Sequence, residues 1–377
     1  MLSYNNNLLD FGYYKVGDCT FINKISAILE AERTHQFPYF IFHDTEYQRH
    51  CWTQEPTESL ETLYARRAWE IRNKYDYLVL HFSGGADCTN ILETFIKNKI
   101  PLDEVFMRGP LRSSDKDIKN TSSKNMYAEI WFNAYPLAQL VKEKYMPDLK
   151  ITVTDTTDFI IDYYKKKPDW VGYNDGLPFT SFTPGTSGRA DYDAINPEFQ
   201  KLTESGKRVG HIFGIEKPQL EYQNGSWSIK FLDKFLNIFF VPRKNNIDLP
   251  MYQEAFYWAE STAPLIIKQA HTIKKYIEFN NIDPNWFSKL AGRVKHDFIS
   301  NIVYNRQLPM FFNPDKYSGG VIFPWDEFFF KDANADHTKH WHDGMQYLGT
   351  YIPKKWLHNE NIYGDLIGIY SRSYPIG

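Results

Sequence analysis

Cysteine is scarce in this chain: three in 377 residues, Cys19, Cys51 and Cys88, with no Cys-x-x-Cys pair among them. An odd and scattered set argues against a disulfide framework, an iron–sulfur cluster or a zinc knuckle, and points to a reducing cytoplasm. Long hydrophobic runs are missing as well. No apolar stretch reaches the roughly 18 residues of a spanning helix, so no membrane partner is expected. The opening Met1-Leu-Ser-Tyr-Asn-Asn-Asn7 carries neither basic residues nor a following apolar core, so no signal peptide is read there. Charge of one sign is not in excess. A formal net charge of −3 calls for no obligatory nucleic acid or anionic surface, although nucleic acid stays open as a substrate. Internal repeats and low-complexity tracts are absent.

What is present is a globular composition, 42% hydrophobic and 17% aromatic, in a chain long enough for two or three domains. One stretch organises it. Residues 77–82, Tyr-Leu-Val-Leu-His-Phe, form an apolar run without alternation, as in a parallel strand buried on both faces. Two adjacent glycines and a carboxylate follow, then residues with helical spacing. Glycines allow backbone conformations and close approaches that a Cβ forbids, and a helix N-terminus adds free N–H groups and the positive end of its dipole. The pattern predicts strand, anion-binding loop and helix.

Residues 1–55 read as a small α+β cap, with strands at 11–17 and 39–42 and a helix at 22–31. Residues 56–247 read as a nucleotide-binding domain and 248–377 as a mainly helical, mixed region. A helix is predicted over 57–74, its arginines Arg66, Arg67 and Arg72 on a solvated face. Beyond the glycine loop come a helix bearing Ile91, Leu92, Phe95 and Ile96, and strands at 105–107, 151–154 and 208–214. Between these strands lie helices at 126–145, kinked at Pro136, and at 157–167. The alternation predicts an α/β fold with an open, doubly wound, mostly parallel sheet, whose ligands bind beyond the carboxyl ends of its strands. Asn224-Gly225 between two alternating runs predicts a hairpin. Helices are expected at 252–260, 263–280 and 286–304, and a strand at 366–370. An irregular span containing 172–176 and 184–191 is a candidate substrate lid, a plain surface loop being the equal alternative.

The six residues Ser83-Gly84-Gly85-Ala86-Asp87-Cys88 lack the Gly-Lys-Ser/Thr of a Walker loop. They resemble instead the Ser-Gly-Gly-x-Asp-Ser signature of the PP-loop ATP pyrophosphatases, the superfamily of asparagine synthetase, NAD synthetase, GMP synthetase and several tRNA-modifying enzymes, with cysteine in the final position. The pattern on either side is similar to that of uncharacterised bacteriophage PP-loop proteins, which implies a host cytoplasm. The resemblance implies an adenine nucleotide alpha hydrolase-like fold, ATP and Mg2+ as cofactors, and attack of a substrate oxygen on the α-phosphate. By the same resemblance Ser83, Gly84, Gly85 and Cys88 line the phosphate cradle and Asp87 helps hold magnesium; Asp155 and Asp158, after the third strand, are candidates for a second magnesium carboxylate or a substrate contact, Asp155 being also a candidate helix cap. Lys217 meets the phosphates, and the backbone of Phe106 and Met107, with Arg108 and Arg112 close by, holds the adenine end.

Several activities fit that reading. The leading one is an amide- or amidine-forming ligase in which a nitrogen nucleophile captures an adenylated carbonyl or carboxyl, since it needs no cysteine. Nucleotide or nucleic-acid base modification, including sulfur insertion, is the alternative, set back by the cysteine pattern. A lapsed ATP-binding interaction module is the third. An N-terminal glutaminase is not expected, because Leu2 stands where such a nucleophile belongs and Cys19 is internal. The cluster Asp336, His337, His340, His342 and Asp343 reads better as a solvated loop than as a metal site, and His271 as a satisfied histidine.

Overall fold

The computed structural model describes residues 12–21, 23–113, 116–117, 127–165, 192–193, 196–215, 217–233, 252–290, 292–312, 339, 346, 349–350, 352–357 and 366–377. Strands β1 (Tyr13–Val16), β2 (Cys19–Phe21) and β3 (Tyr39–Ile41) make an antiparallel sheet in the order β2-β1-β3. Helix α1 (Lys24–Thr34) joins β2 to β3. Its N-cap Asn23 accepts the Ser26 amide, satisfying one of the helix's free donors. The short helix α2 (Asp44–Tyr47) closes this α+β unit.

Helix α3 (Leu60–Lys74) buries Leu63, Tyr64, Ala68 and Ile71 and leads into β4 (Tyr77–His81). Then come α4 (Ala86–Lys97), β5 (Glu104–Gly109), α5 (Tyr135–Lys144), β6 (Lys150–Asp155), α6 (Thr157–Lys165), α7 (Pro197–Glu204) and β7 (Val209–Phe213). A π-helical turn, Ile130–Ala134, runs directly into α5, where Pro136 occupies the first turn and needs no hydrogen bond from its nitrogen. Pro136, where the sequence predicts a kink, lies just past that junction.

Beyond β7 the hairpin β8 (Gln219–Gln223) and β9 (Ser226–Lys230) turns on Asn224 and Gly225, with φ of +52° and +79°. Both residues sit in the left-handed region that a tight hairpin turn requires. Strand β10 (Tyr252–Ala255) precedes helices α8 (Ala263–Phe279), α9 (Pro284–Lys289) and α10 (Gly292–Val303), and β11 (Tyr374–Pro375) pairs antiparallel with β9. The fold is α/β: five parallel strands in the order β10-β7-β4-β5-β6 form the central sheet, compatible with a Rossmann-like arrangement. From β4 the chain steps outward through β5 and β6 and then returns to β7 on the other side of β4. The loop after β4 therefore leaves the sheet where the strand order reverses.

Four local expectations change. Residues 252–255 are a strand, not the start of a helix, because their backbone pairs with β7 and Phe256 N donates to Phe213 O. This strand of the central sheet lies C-terminal to residue 247. The helix expected over 286–304 is two helices, α9 ending before an extended Leu290 (ψ 135°). Residues 366–370 form no strand; Leu366 and Tyr370 make isolated bridges to Leu357 and Leu232.

Arg67, expected on a solvated face, is the fourth. It is 4% exposed and donates to Glu254 Oε2 (2.8 Å), Ala255 O (3.0 Å) and Phe256 O (3.3 Å). Burial pushes the Glu254 carboxyl up, but Arg67, Lys74 and Tyr75 outweigh it and leave its pKa lowered. Arg67 ties α3 to the end of β10, a partner that helical periodicity cannot reveal.

Candidate functional site

Phe82 N donates to Phe106 O (2.9 Å), the last ladder bond before Ser83 leaves the sheet. Gly84 has φ of +78°, and a Cβ there would meet Asn133 Nδ2 at 2.9 Å and the Ala134 backbone at 3.0 Å. A side chain is excluded on both counts. Asn133, 2% exposed in the π-helical turn, donates to Gly84 O (2.8 Å), and Gly85 N donates to Ser83 Oγ (3.3 Å). Gly85 is the N-cap of α4 without a side-chain hydrogen bond to the first turn, and a Cβ on it would meet only Ser83 Oγ, at 3.3 Å. The first amides of a twelve-residue helix thus face a glycine-lined cradle.

Asp87 is the hub. Lys217 Nζ donates to its Oδ2 (2.6 Å) and Tyr304 OH to its Oδ1 (2.6 Å), while Tyr257 OH donates to its backbone carbonyl (2.8 Å). Lys217 is 4% exposed and follows β7 closely, which carries it to the same sheet end as the loop after β4. Burial first, and then the Asp87 carboxylate, push the hydroxyls of Tyr304 and Tyr257 well above the usual phenol range. Both therefore stay protonated as donors. Asn90 Nδ2 donates to Tyr257 OH (2.9 Å) and completes the brace.

The other expected site residues are spread along the sheet. Cys88 is buried; its thiol donates to His81 O (3.3 Å), and burial pushes its pKa up to about 11, against opposing bonds at Ser83 and Gly214. Phe106 uses its carbonyl for Phe82 and packs its ring with Val79, Phe199 and Val209, whereas Met107 lies in the main core. Arg108 is taken up by Asp193, both carboxylate oxygens lying 2.5 Å from guanidinium nitrogens. His81 Nε2 and His211 Nδ1 are 3.0 Å apart beside that pair. Burial, and then the Arg108 charge, hold His211 down at about 3 and His81 well below its ordinary value.

Asp155 stands at the end of β6, at the sheet edge. Its Oδ1 accepts the Leu111 and Thr157 amides (2.9 Å each), and Arg112 Nε lies 3.7 Å from its Oδ2. The structure thus brings together Asp87, Lys217 and the loop, and gives Arg108 and Asp155 local partners of their own. Among the described residues no three His, Cys, Asp or Glu side chains gather to hold a metal ion. The cluster from Asp336 to Asp343 and the candidate lid at 172–191 lie outside the described residues. His271 is buried and its Nε2 bonds Trp52 O (2.9 Å).

Sequence reasoning missed Asn133, Tyr257 and Tyr304, as well as a cavity of about 400 Å3 lined by Gly84, Thr89, Asn133, Tyr304 and Arg306 among others. Only Asn133 left a trace, a lone amide amid Ile130-Trp-Phe-Asn-Ala134. The tyrosines read as ordinary core residues, because their hydroxyl partner is more than 160 positions away.

Fold and site together define an α/β protein with a glycine loop at the reversal of its strand order and a Lys–Asp pair at the loop's helix. Comparison with protein-family models, curated proteins and solved structures finds no match for this chain.

Proposed function

We propose that this chain binds ATP at the Ser83–Cys88 loop and adenylates a carbonyl or carboxyl oxygen of a substrate with release of pyrophosphate. The observation that carries the reading is Lys217 Nζ, 2.6 Å from Asp87 at the opening of α4, beside a loop whose Gly84 packs too closely on Asn133 and Ala134 to admit a side chain. A doubly wound sheet is part of the proposal. It is supported by two separate apolar clusters, one holding Leu78 and Leu80, the other Val79, Phe106 and Val209 with Phe199 of α7. Alternation along a strand sends those two sets to opposite faces.

In this mechanism the acceptor oxygen attacks the α-phosphorus, the bond to the β-phosphate oxygen breaks, and that oxygen leaves with the electron pair. The first N–H groups of α4 and the Lys217 ammonium stabilise the charge that builds on the departing pyrophosphate. By the resemblance, Asp87 would hold a magnesium ion, which suits one or two carboxylates plus phosphate oxygens and would supply further neutralising charge. Tyr304 and Tyr257 hold Asp87 in place. A nitrogen nucleophile then attacks the activated carbonyl and AMP leaves, giving an amide or amidine. Sulfur transfer is less favoured, because the one cysteine in the loop is buried and its thiol is kept protonated.

An ATP-binding module without turnover is the second reading, supported by the engagement of both Asp87 oxygens by Lys217 and Tyr304. Pyrophosphate release from α-labelled ATP with magnesium separates the two, using wild type, Asp87→Ala and Lys217→Ala against pools of small molecules and nucleic acids. Release that requires Asp87, Lys217 and one pool is expected. ATP binding with no pyrophosphate or AMP from any pool would turn the choice to the binding module.

A further inference from the structure

The cavity of about 400 Å3 beside the loop has a wall that is built rather than incidental. Residues 305–312, which follow α10, are pinned at two points, one on α4 and one on the π-helical turn. Glu93, 3% exposed on α4, accepts the Gln307 and Leu308 amides (2.7 Å each). Asn133, the same side chain that holds Gly84 O, accepts the Phe311 amide (2.9 Å). One amide therefore fixes both the phosphate loop and the facing wall. Tyr304, another lining residue, contacts Asp87 directly.

Among the described residues, Arg306 is the only charged side chain lining that cavity. Its Nη2 donates to Asn301 Oδ1 (2.7 Å), and among the described residues it faces no carboxylate. Leu137, Leu308 and Met310 supply an apolar face, Thr89, Asn301 and Asn305 hydrogen-bonding groups. The volume is that of a site for a small molecule, with few polar groups fixing its orientation. A guanidinium with no carboxylate partner among the described residues matches, in such a wall, an anionic oxygen group with two coplanar acceptors.

Building on the adenylation reading, we infer that this cavity is the acceptor site and that Arg306 selects small acceptors carrying a carboxylate or phosphate in addition to the oxygen that is activated. The charged group sits on Arg306 at the outer wall, and the activated oxygen lies toward Gly84 and the loop. Arg306 is a specificity residue, with no part in holding ATP.

Two readouts test this. In the pyrophosphate assay, the productive pool fractionates as an anion. Arg306→Gln raises the KM for that acceptor about tenfold or more, Arg306→Lys recovers part of the loss, and the KM for ATP stays unchanged in both. A neutral or cationic productive acceptor, or an unchanged acceptor KM in Arg306→Gln, overturns the inference and leaves adenylation standing. The second readout needs no turnover: modification of Arg306 by phenylglyoxal, followed by mass spectrometry on the full chain, with exposed Arg33 as internal control. Glutarate and glycerol 1-phosphate are expected to protect Arg306 at millimolar concentration, where neutral glutaramide does not; whichever of the two protects at lower concentration identifies the group. Equal modification under all three overturns the inference. Protection of Arg306 without pyrophosphate release from any pool would instead remove the adenylation reading and retain an anion-selective pocket.

Discussion

Lys217 and Asp87, 130 positions apart in the chain, meet at 2.6 Å with the lysine almost wholly buried. Two parallel strands, β4 and β7, end side by side, and each hands its next residues to the same corner of the sheet. Asp87 thereby sits between a cation and the Tyr304 hydroxyl.

Removing either partner leaves a charge in a poorly solvated place. Lys217→Met or Asp87→Asn alone is expected to cost about 1–3 kcal/mol of stability, and the double variant less than the sum. Urea unfolding of the four species gives the coupling. Strict additivity would mean that the pair contributes nothing to folding.

The two loop glycines separate a folding role from a binding role. Gly84→Ala meets both a positive φ and the Asn133 amide, and should lower stability by about 1–3 kcal/mol. Gly85→Ala meets only Ser83 Oγ and should melt close to wild type while weakening ATP binding, because its methyl group enters the cradle. Thermal melts and equilibrium ATP binding on both variants are the check.

Thiol chemistry should divide the three cysteines. Cys19 and Cys51 are exposed, whereas Cys88 is buried and its thiol is pushed up to about 11. At pH 8 a disulfide reagent should therefore titrate two thiols quickly and the third only on unfolding. Rapid reaction of all three would place Cys88 in a different environment.

Stability should fall on acidification through the histidine pair. His211 is held down at about 3 and His81 also below its ordinary value, so the folded chain keeps both neutral where the unfolded chain protonates them. Unfolded histidines bind protons near pH ~6.5, so this contribution is complete above that pH and is lost as pH falls toward about 3. Each such group adds up to about 1.4 kcal/mol per pH unit in the window. The fall in unfolding free energy from pH 7 to pH 5 should be smaller in His211→Gln than in wild type.

Arg67→Ala should be among the most damaging changes in the described chain, at about 3–5 kcal/mol, because it takes the ion-pair donor from the buried Glu254 Oε2 and leaves Lys74 and Tyr75 on Oε1 alone. Exposed Arg66, on the same helix, should change stability by less than about 1 kcal/mol when replaced by Ala. Denaturant midpoints of the two variants test the contrast.

Much of the architecture was written locally. An unbroken apolar run needs burial on both faces, paired glycines admit a turn and a close backbone approach, and a following helical stripe needs a core. Those constraints act within about twenty residues, and 77–97 follow them. The Asn224-Gly225 hairpin is equally local, since only its turn conformation is at stake. Lys217 is a candidate through the resemblance and its place just after a strand, and the parallel pairing of β4 with β7 brings it to the end of the sheet where the glycine loop begins.

What needed tertiary structure has one cause, partners distant in sequence. Residues 252–255 became a strand when β7 offered its free edge and Arg67 received Glu254. Arg108 was claimed by Asp193, and Asp155 by the amides of Leu111 and Thr157. Asn133, Tyr257 and Tyr304 carry polar groups that reach the loop around Asp87 from distant parts of the chain. A periodic pattern reports which face of an element is buried; which hydroxyl or carboxylate waits on the other side is set by packing across the whole chain.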